Sequence, residues 1–339
     1  MTVLPGWISA ALQHKLEDVS RNDLRQRAQA ISDAYRGGGS SDLIRSELDS
    51  LAYAVVRMPA TYAAVRAALA QTMRIIPDFA PRSLVDIGAG PGTASWAALD
   101  AWPSLRRATL IDRNAHLLDL ARQLRDSGAA PHADLHVTQA DMADIADLAD
   151  LADMAGMPPD GLKADAVMAS YALTELAPAA WRGALAKLWE LADRLLLIVE
   201  PGTMSGFKRI FDYRNFLLAA GAAIVAPCSH EGPCPLSASA RWCHFGARLA
   251  RSRDHRLTKG ADAPYEDEKF TYLVAGKGFG DLERGRRILA SPKVSKASVV
   301  LTLCAPQTAQ EYVVDRRQKD AYKAAKRYDW GDAISDRSF

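Results

Sequence analysis

The sequence has no apolar run of about 18 residues, and cysteine is scarce, with four in 339 residues. The first absence excludes a membrane-spanning helix, so we expect no membrane partner. The opening stretch MTVLPGWISAALQHKLEDVS has neither the cationic leader of a secretory signal nor the acid-poor composition of a transit peptide. We therefore expect a cytoplasmic protein. In that reducing compartment, so few cysteines favour metal or redox chemistry over disulfide bonds.

Net charge is also small, at +2, but it is unevenly distributed. Residues 201–339 hold 23 Lys and Arg against 15 Asp and Glu, whereas residues 1–200 hold 19 against 25. A basic half predicts a polyanionic partner such as nucleic acid. The alternative is solvated surface charge without a partner.

The order of apolar patterns predicts an α/β protein with a helical N-terminal extension. Helical spacing extends to about residue 78, with Met58-Pro59 ending one helix. Short apolar runs then alternate with helical stretches, as in a parallel sheet of βαβ units. These runs are SLVDIG, RATLID, LHVTQAD, ADAVMASYAL and DRLLLIVEPG, and KFTYLVAGKG and KASVVLTLCAP follow as a final antiparallel pair. The predicted divisions are a helical region (1–78), a cofactor-binding core (79–224), a cysteine-rich insertion with the final strands (225–310) and a basic, helix-compatible tail (311–339).

A glycine-rich turn follows the first strand and precedes a helix. Asp86 lies in the strand, and Gly88, Gly90 and Gly92 form the turn. Glycines allow the backbone to turn sharply and approach a ligand, and the helix start adds free N–H groups. A dinucleotide fingerprint requires a glycine where this chain has Thr93. The turn therefore indicates a different nucleotide-like cofactor, or else serves structure alone.

Acidic residues follow the next two strands. Asp112 suits ribose hydroxyls, while Asp141 suits an adenine amine, with Met142 against the ring. Each acid alone is equally consistent with a helix cap or surface carboxylate. Together with the glycine turn, they resemble the class I S-adenosylmethionine-dependent methyltransferases, which implies a Rossmann-like fold and S-adenosylmethionine as cofactor.

The fourth strand carries no recognisable catalytic motif. MASYAL stands where many amino-directed nucleic-acid methyltransferases have Asn/Asp-Pro-Pro-aromatic, and no cysteine lies on the fourth or fifth strand for covalent attack. Tyr171, Thr174 and Glu175 either face the methyl group or serve packing and capping. The catalytic residues therefore stay unknown.

Three cysteines crowd into the Gly-, Pro- and Ser-rich stretch CSHEGPCPLSASARWCHF. Cys228, Cys234 and Cys243 are spaced C-x5-C-x8-C, and Cys304 ends an apolar run. Four thiolates suit an iron–sulfur cluster or zinc, and the absence of Cys-x2-Cys knuckles favours the cluster. His230 and His244 keep mixed zinc ligation open, and free thiols are the remaining alternative.

The runs APCSHEGPCPL, WCHFGARLARSRDHRLTKG and YEDEKFTYL resemble the methyltransferase-like assembly factors of the mitochondrial small ribosomal subunit. That family includes methyltransferase-like protein 17 of animals and its yeast and bacterial relatives. The resemblance extends from about Arg57 to the tail. It implies a 4Fe-4S cluster on Cys228, Cys234, Cys243 and Cys304, and binding to small-subunit rRNA or a pre-ribosomal particle. Whether members transfer methyl groups is open.

Cations cluster after Cys243, and Trp242, Tyr322 and Tyr328 are available to stack on bases. We expect an S-adenosylmethionine-binding protein of the methyltransferase class that acts on small-subunit rRNA or in small-subunit assembly. The rivals are an inactive rRNA-binding assembly factor and a small-molecule methyltransferase. The cations are Arg248, Arg251, Arg253, His255, Arg256, Lys259, Arg284, Arg286, Arg287, Lys293, Lys296, Arg316, Arg317, Lys319, Lys323, Lys326 and Arg327.

Overall fold

The computed structural model describes residues 1–36, 41–127, 133–141 and 162–335. The chain divides into two compact units. The first contains Met1–Ala67, Ala80–Ile198 and Ala247–Glu268, and the second contains Ala68–Phe79, Val199–Gly246 and Lys269–Phe339. Each unit is therefore assembled from separate stretches of chain, and the four ranges given above stay a prediction.

Helices begin the chain, as the apolar spacing predicts. They are α1 (Gly6–Lys15), α2 (Arg21–Arg36) and α3 (Glu47–Ile75). The predicted break at Pro59 is wrong, because α3 continues through this proline. Proline removes one backbone N–H donor and crowds the preceding turn. Here Met58, Ala60 and Ala63 are all fully buried, and this apolar burial on both sides of Pro59 offsets the lost hydrogen bond.

The five predicted strands of the core are confirmed. They are β1 (Ser83–Ile87), β2 (Arg107–Asp112), β3 (Asp134–Gln139), β4 (Ala164–Ser170) and β5 (Ala192–Pro201), in the sheet order β3-β2-β1-β4-β5. β1 pairs in parallel with β2 and β4, and β2 with β3. Strands β1, β2, β4 and β5 are largely buried and have the nearly continuous apolar runs that parallel strands covered on both faces need, whereas β3, at the edge of the sheet, is only partly buried. Their carboxyl ends share one edge, and that edge is where the glycine turn lies.

Helices connect these strands in the first unit. They are α4 (Thr93–Ala101), α5 (Ala115–Asp126) and α6 (Trp181–Leu191). Strand β7 (Phe245–Ala250) and the short helix α8 (Arg253–Lys259) follow later in the chain, and α8 packs on α2. This βα alternation, strand order and glycine turn make the core a class I methyltransferase-type α/β fold.

The second unit contains α7 (Met204–Ala219), β6 (Ala223–Ala226) and most of β8 (Tyr265–Gly276), which pairs antiparallel with β6. The predicted pairing of the last two strands is wrong, because β11 (Ser298–Ala305) lies in a separate sheet. That sheet has the order β10-β11-β9-β13, with β12 on the other side of β11. Its other strands are β9 (Arg286–Ile288), β10 (Lys293–Val294), β12 (Thr308–Asp315) and β13 (Ala333–Ile334).

The tail is part strand and part helix, rather than helix throughout. Tyr312-Val313-Val314 belongs to β12, and α9 covers Lys319–Ala325. β-branched valines favour the strand, and pairing of β12 with β11 along its whole length provides the partner. The core of this sheet is formed by Ile288, Val299, Leu301, Leu303, Val314, Ala325 and Ile334. Within the described ranges, no helix is both long and apolar enough to span a bilayer.

Candidate cofactor site and cysteine pocket

The backbone N–H groups of the glycine turn donate hydrogen bonds to the end of β2. The Gly88 N–H donates to the Ile111 carbonyl at 2.8 Å, and the Gly90 N–H donates to the Asp112 carboxylate at 2.7 Å. Gly90 has φ of 54°, in the left-handed region that disfavours residues with a Cβ. Gly90 and Asp112, both predicted to bind the cofactor, are therefore in direct contact with each other.

The three glycines of the turn differ in their surroundings. A Cβ on Gly88 would clash with the Cβ of Ala172, and one on Gly92 would lie 2.8 Å from Leu110. Among the described residues, a Cβ on Gly90 would meet Leu117 alone, at an ordinary 3.7 Å. Gly88 and Gly92 are therefore required by packing inside the protein, whereas Gly90 leaves space beside the backbone.

Asp112 presents a buried carboxylate at the end of β2. Its second oxygen accepts a hydrogen bond from the Asn114 N–H at 2.8 Å, which also positions the start of α5. Burial raises the pKa of Asp112 above its ordinary value, while the two backbone N–H groups oppose the shift. Each carboxylate oxygen retains a second lone pair, so the group can still accept from a ligand hydroxyl.

Asp86 is fully buried and faces α4. Its Oδ2 accepts hydrogen bonds from the Ser95 backbone N–H and hydroxyl, at 3.1 and 2.7 Å. Its Oδ1 has no hydrogen-bond partner in the described structure. Burial raises the pKa of Asp86 to about 7, against the effect of Ser95. Asp86 therefore anchors α4 beneath the turn, with one carboxylate oxygen unsatisfied.

Arg113 joins acids from several segments beside this edge. Its guanidinium lies 2.8 Å from Asp42, 3.7 Å from Glu175 and 3.8 Å from Asp141. Burial raises the pKa of Glu175 to about 7, and the Ser41 N–H and Arg113 oppose the shift. Asp141 is thus near the other predicted residues. Met142 lies outside the described residues.

The N-terminal helices contribute side chains that no motif indicated. Tyr35 of α2 and Tyr53 of α3 have ring centroids 6.2 Å apart. Burial raises the pKa of Tyr53 to about 12 and that of Tyr35 further, and the charges of Glu175 and Asp112 contribute to both shifts. Two tyrosines therefore lie among the acids at the strand ends.

Tyr171 directly follows β4 and has φ of 60°, which is unusual for a residue with a Cβ. Its hydroxyl donates to Glu268 at 3.0 Å, and Arg57 of α3 lies 3.7 Å from Glu268 and over the Tyr171 ring. Backbone strain of this kind concentrates at functional sites. The sequence signal for Tyr171 was its position after a buried strand, whereas Arg57 and Glu268 gave none.

The four cysteines line one pocket in the second unit. Cys228, Cys234, Cys243 and Cys304 all contribute to its wall, together with apolar side chains such as Phe207 and Leu236. The Ser229 hydroxyl donates to the Cys304 carbonyl at 3.1 Å, which connects the loop to β11. His230 also lines the pocket, and His244 stacks on Trp242 instead.

Two buried arginines border the same pocket. Arg214 donates to the carbonyls of His230 and Gly232, and Arg287 donates to the Pro227 carbonyl at 2.8 Å. Neither guanidinium has a carboxylate within ion-pair distance among the residues that the structure describes. The side chains of Arg214 and Arg287 retain N–H groups without a partner. The pocket is therefore buried and electropositive.

The thiols are not arranged around a single ion. Over the described ranges, no three His, Cys, Asp or Glu side chains form a group that would hold one metal ion. Burial raises the pKa of Cys228 and Cys243, and raises that of Cys304 to about 12. The predicted metal site is therefore not demonstrated, although its four cysteines face one pocket.

The predicted RNA-binding cations fall into different environments. Arg287 is 1% exposed and His255 is fully buried, so the prediction is wrong for these two. Arg251 and Lys259 bind Glu266, and Arg248 binds Asp267. Tail cations such as Arg316 and Arg317 are exposed. Sequence clustering alone did not distinguish these groups.

Comparison with known proteins gives a family match over most of the chain. The family model described as "Mitochondrial small ribosomal subunit Rsm22" matches residues 47–335. The human ribosome assembly protein METTL17, mitochondrial, is 26% identical over 300 residues, covering 84% of this chain and 62% of that protein. The Rsm22-cox11 tandem protein 2, mitochondrial, of Schizosaccharomyces pombe is 25% identical, covering 83% and 42%. The chain thus spans less than two thirds of either relative.

Solved structures show a distant likeness. An O-methyltransferase family protein from Burkholderia thailandensis is 15% identical, with a TM-score of 0.44, covering 78% of this chain and 74% of that one. Magnesium protoporphyrin IX methyltransferase from Synechocystis, with bound SAH, is 14% identical, with a TM-score of 0.41, covering 74% and 94%. At this similarity, neither structure indicates a ligand or substrate for this chain.

One expectation is overturned by these comparisons. The family model and the two relatives are described as mitochondrial. The expected cytoplasmic location is therefore wrong. It rested on the character of the first residues, which is weaker evidence than a match over residues 47–335.

Proposed function

Since the chain belongs to the Rsm22 family of the mitochondrial small ribosomal subunit, we propose that it binds S-adenosylmethionine and acts on rRNA during small-subunit assembly. The family match supports the ribosomal role. The contact between the Gly90 backbone and Asp112, at the carboxyl ends of neighbouring parallel strands, carries the cofactor assignment.

The residues at this edge fit the cofactor chemically. The space beside Gly90 accommodates a close ligand, and Asp112 accepts hydrogen bonds from ribose hydroxyls. Asp141 would accept from the adenine amine, and Met142, which lies outside the described residues, stays the predicted apolar neighbour of the ring. Gly88, Gly92 and Asp86 hold the turn in shape from within the protein. When bound, S-adenosylmethionine supplies an electrophilic methyl group.

We propose Glu175 as the residue that accepts a proton from a methyl acceptor. It follows β4, lies near Arg113, and has a pKa raised by burial to about 7. A general base works best when its pKa is near the working pH. Tyr171, Glu268 and Arg57 form a second polar group beside β4, where they would orient the acceptor.

A non-catalytic assembly role is the second candidate. The polar groups at the strand ends are already paired with one another, as in the Tyr171–Glu268 hydrogen bond and the Arg113–Asp42 ion pair. The human relative is named as a ribosome assembly protein. Cofactor binding without methyl transfer would satisfy these observations.

We further propose that the cysteine pocket holds a 4Fe-4S cluster. Arg214 and Arg287 are cations with no carboxylate partner in the described parts of the chain, and such buried charges need compensation. A cluster held by four thiolates has a net negative charge and would supply it. Each thiolate of a cubane binds a different iron, so its four ligands lie farther apart than those around one zinc ion. The cluster is therefore preferred to zinc, which is the alternative.

Methyl transfer separates the first two candidates. Immature small ribosomal subunits would be incubated with the purified chain and S-adenosylmethionine labelled in the methyl group. We expect label in small-subunit rRNA with the unmodified chain and at least tenfold less with Glu175→Gln, which removes the proton acceptor. Asp42→Asn, which changes another partner of Arg113, is the control. Cofactor binding without label in any RNA or protein would establish the non-catalytic role.

A further inference from the structure

One group of cations in the second unit is concentrated in the C-terminal part of the chain. Residues 316–327 contain six Lys and Arg against one Asp. Six cations from this stretch and from the turn before β11, called here the C-terminal cationic patch, are exposed and make no ion pair with any residue in the described ranges. They are Lys296, Arg316, Arg317, Lys319, Lys326 and Arg327.

The patch is continuous in space although its residues come from separate segments. The Arg316 N–H donates to the Ala297 carbonyl at 2.8 Å, which joins the end of β12 to the turn that contains Lys296. The Tyr322 hydroxyl of α9 donates to the Ser295 carbonyl of that same turn at 2.7 Å. These two hydrogen bonds bring the turn, the end of β12 and α9 together at one end of the sheet.

Several of the other predicted cations already have protein partners. Arg248 makes two hydrogen bonds of 2.7 Å to Asp267, and Arg284 pairs with Glu231. An RNA phosphate would have to compete with those carboxylates. Among the residues that the structure describes, the patch has no such ion-paired competitor, so its charge is available to a polyanion.

The patch is built on its own apolar core. Ala325 of α9 is fully buried with Val299, Leu301 and Val314 of the sheet, and Tyr322 packs against this cluster. Because α9 uses its apolar residues for the core, it has no free apolar face with which to enter a lipid surface. An anionic membrane is therefore a poorer partner than a nucleic acid.

We propose that the C-terminal cationic patch binds the phosphate backbone of RNA and is the main RNA contact of this chain. The inference rests on the proposed function, and it specifies which surface performs it. The ammonium group of Lys326 lies over the Tyr322 ring, 5.7 Å from its centroid, which favours the charged form of this member of the patch. No base-specific readout is required for such a contact.

Two charge-matched variants test the proposal. The patch variant is Arg316→Gln/Arg317→Gln/Arg327→Gln. The control is Arg248→Gln/Arg253→Gln/Arg256→Gln, which removes three exposed arginines from β7 and α8. Affinity for a fluorescein-labelled small-subunit rRNA transcript would be measured by anisotropy from 50 to 200 mM KCl, and vesicles containing phosphatidylserine would be the second probe. Circular dichroism would check folding, and Arg316→Lys/Arg317→Lys/Arg327→Lys would preserve the charge.

We expect the patch variant to lose at least tenfold in RNA affinity, and its salt slope to fall by about 2, at roughly 0.7 per lost phosphate contact. The control and the charge-preserving variant should retain the slope of the unmodified chain. Equal losses in patch and control variants would overturn this inference alone. No RNA binding by the unmodified chain would overturn both it and the proposed function. Vesicle binding that depends on the patch, with RNA binding unchanged, would assign the patch to a membrane instead.

Discussion

The substitution Gly90→Ala tests the cofactor site with the least disturbance to the protein. The added Cβ would meet only Leu117 at 3.7 Å, so the packing within the protein is preserved. It does enter the space beside the backbone that we assign to the cofactor. Asp112→Ala is a less selective test, because it leaves the buried N–H groups of Gly90 and Asn114 without an acceptor.

Comparing the loss of stability with the loss of cofactor affinity distinguishes backbone strain from steric exclusion of the ligand. Gly90 has φ of 54°, and alanine in the left-handed region loses roughly 1–2 kcal/mol of stability. Gly221→Ala is a matched control, since Gly221 has φ of 80° with no atom within 4 Å of the added Cβ. Both variants should therefore lose similar stability. The Gly90 variant alone should lose at least tenfold in cofactor affinity, about 1.4 kcal/mol.

Isothermal titration calorimetry with S-adenosylmethionine would measure the affinity, and urea unfolding without cofactor would measure the stability. The reasoning predicts full affinity in Gly221→Ala and reduced affinity in Gly90→Ala. A folded Gly90→Ala protein that binds the cofactor as tightly as the unmodified chain would refute the assignment of this turn.

Two further predictions concern the cysteine pocket and the buried carboxyl group of Asp86. Cys234→Ser should abolish iron binding in anaerobically purified protein while S-adenosylmethionine still binds, and Ser237→Ala in the same loop should retain the iron. Stoichiometric zinc in the unmodified chain would replace the cluster by a zinc site, and a metal-free chain would exclude both. Burial raises the pKa of Asp86 to about 7 from an ordinary value of 3.8, so the unfolded chain releases this proton first as pH rises. The free energy of unfolding should therefore fall by about a few kcal/mol between about pH 4 and 7, because linkage converts the pKa difference into lost stability. Asp86→Asn should remove the contribution of this carboxyl group to that decrease. Equal pH dependence in both proteins would contradict the buried-carboxylate explanation.

The sequence by itself determined the core and the residues at its edge. Nearly continuous apolar runs specify strands that are covered on both faces, and β1, β2, β4 and β5 lie where these runs occur. Neighbouring parallel strands end at the same edge of the sheet. The acid that ends β2 and the glycine turn after β1 are therefore expected to lie side by side, and Gly90 does contact Asp112. Cysteine spacing likewise identified four residues that line one pocket.

The tertiary structure decided which residues surround these sites. Tyr35 and Arg57 come from helices far along the chain from β4, and helical periodicity gives no information about such distant neighbours. Arg287 and Arg316 look alike in sequence, but one is buried beside the cysteines and the other is exposed on the patch. Pro59 stays within a helix because the apolar burial around it outweighs a local preference. In each case the deciding energy comes from contacts between distant segments, whereas sequence patterns report local preferences.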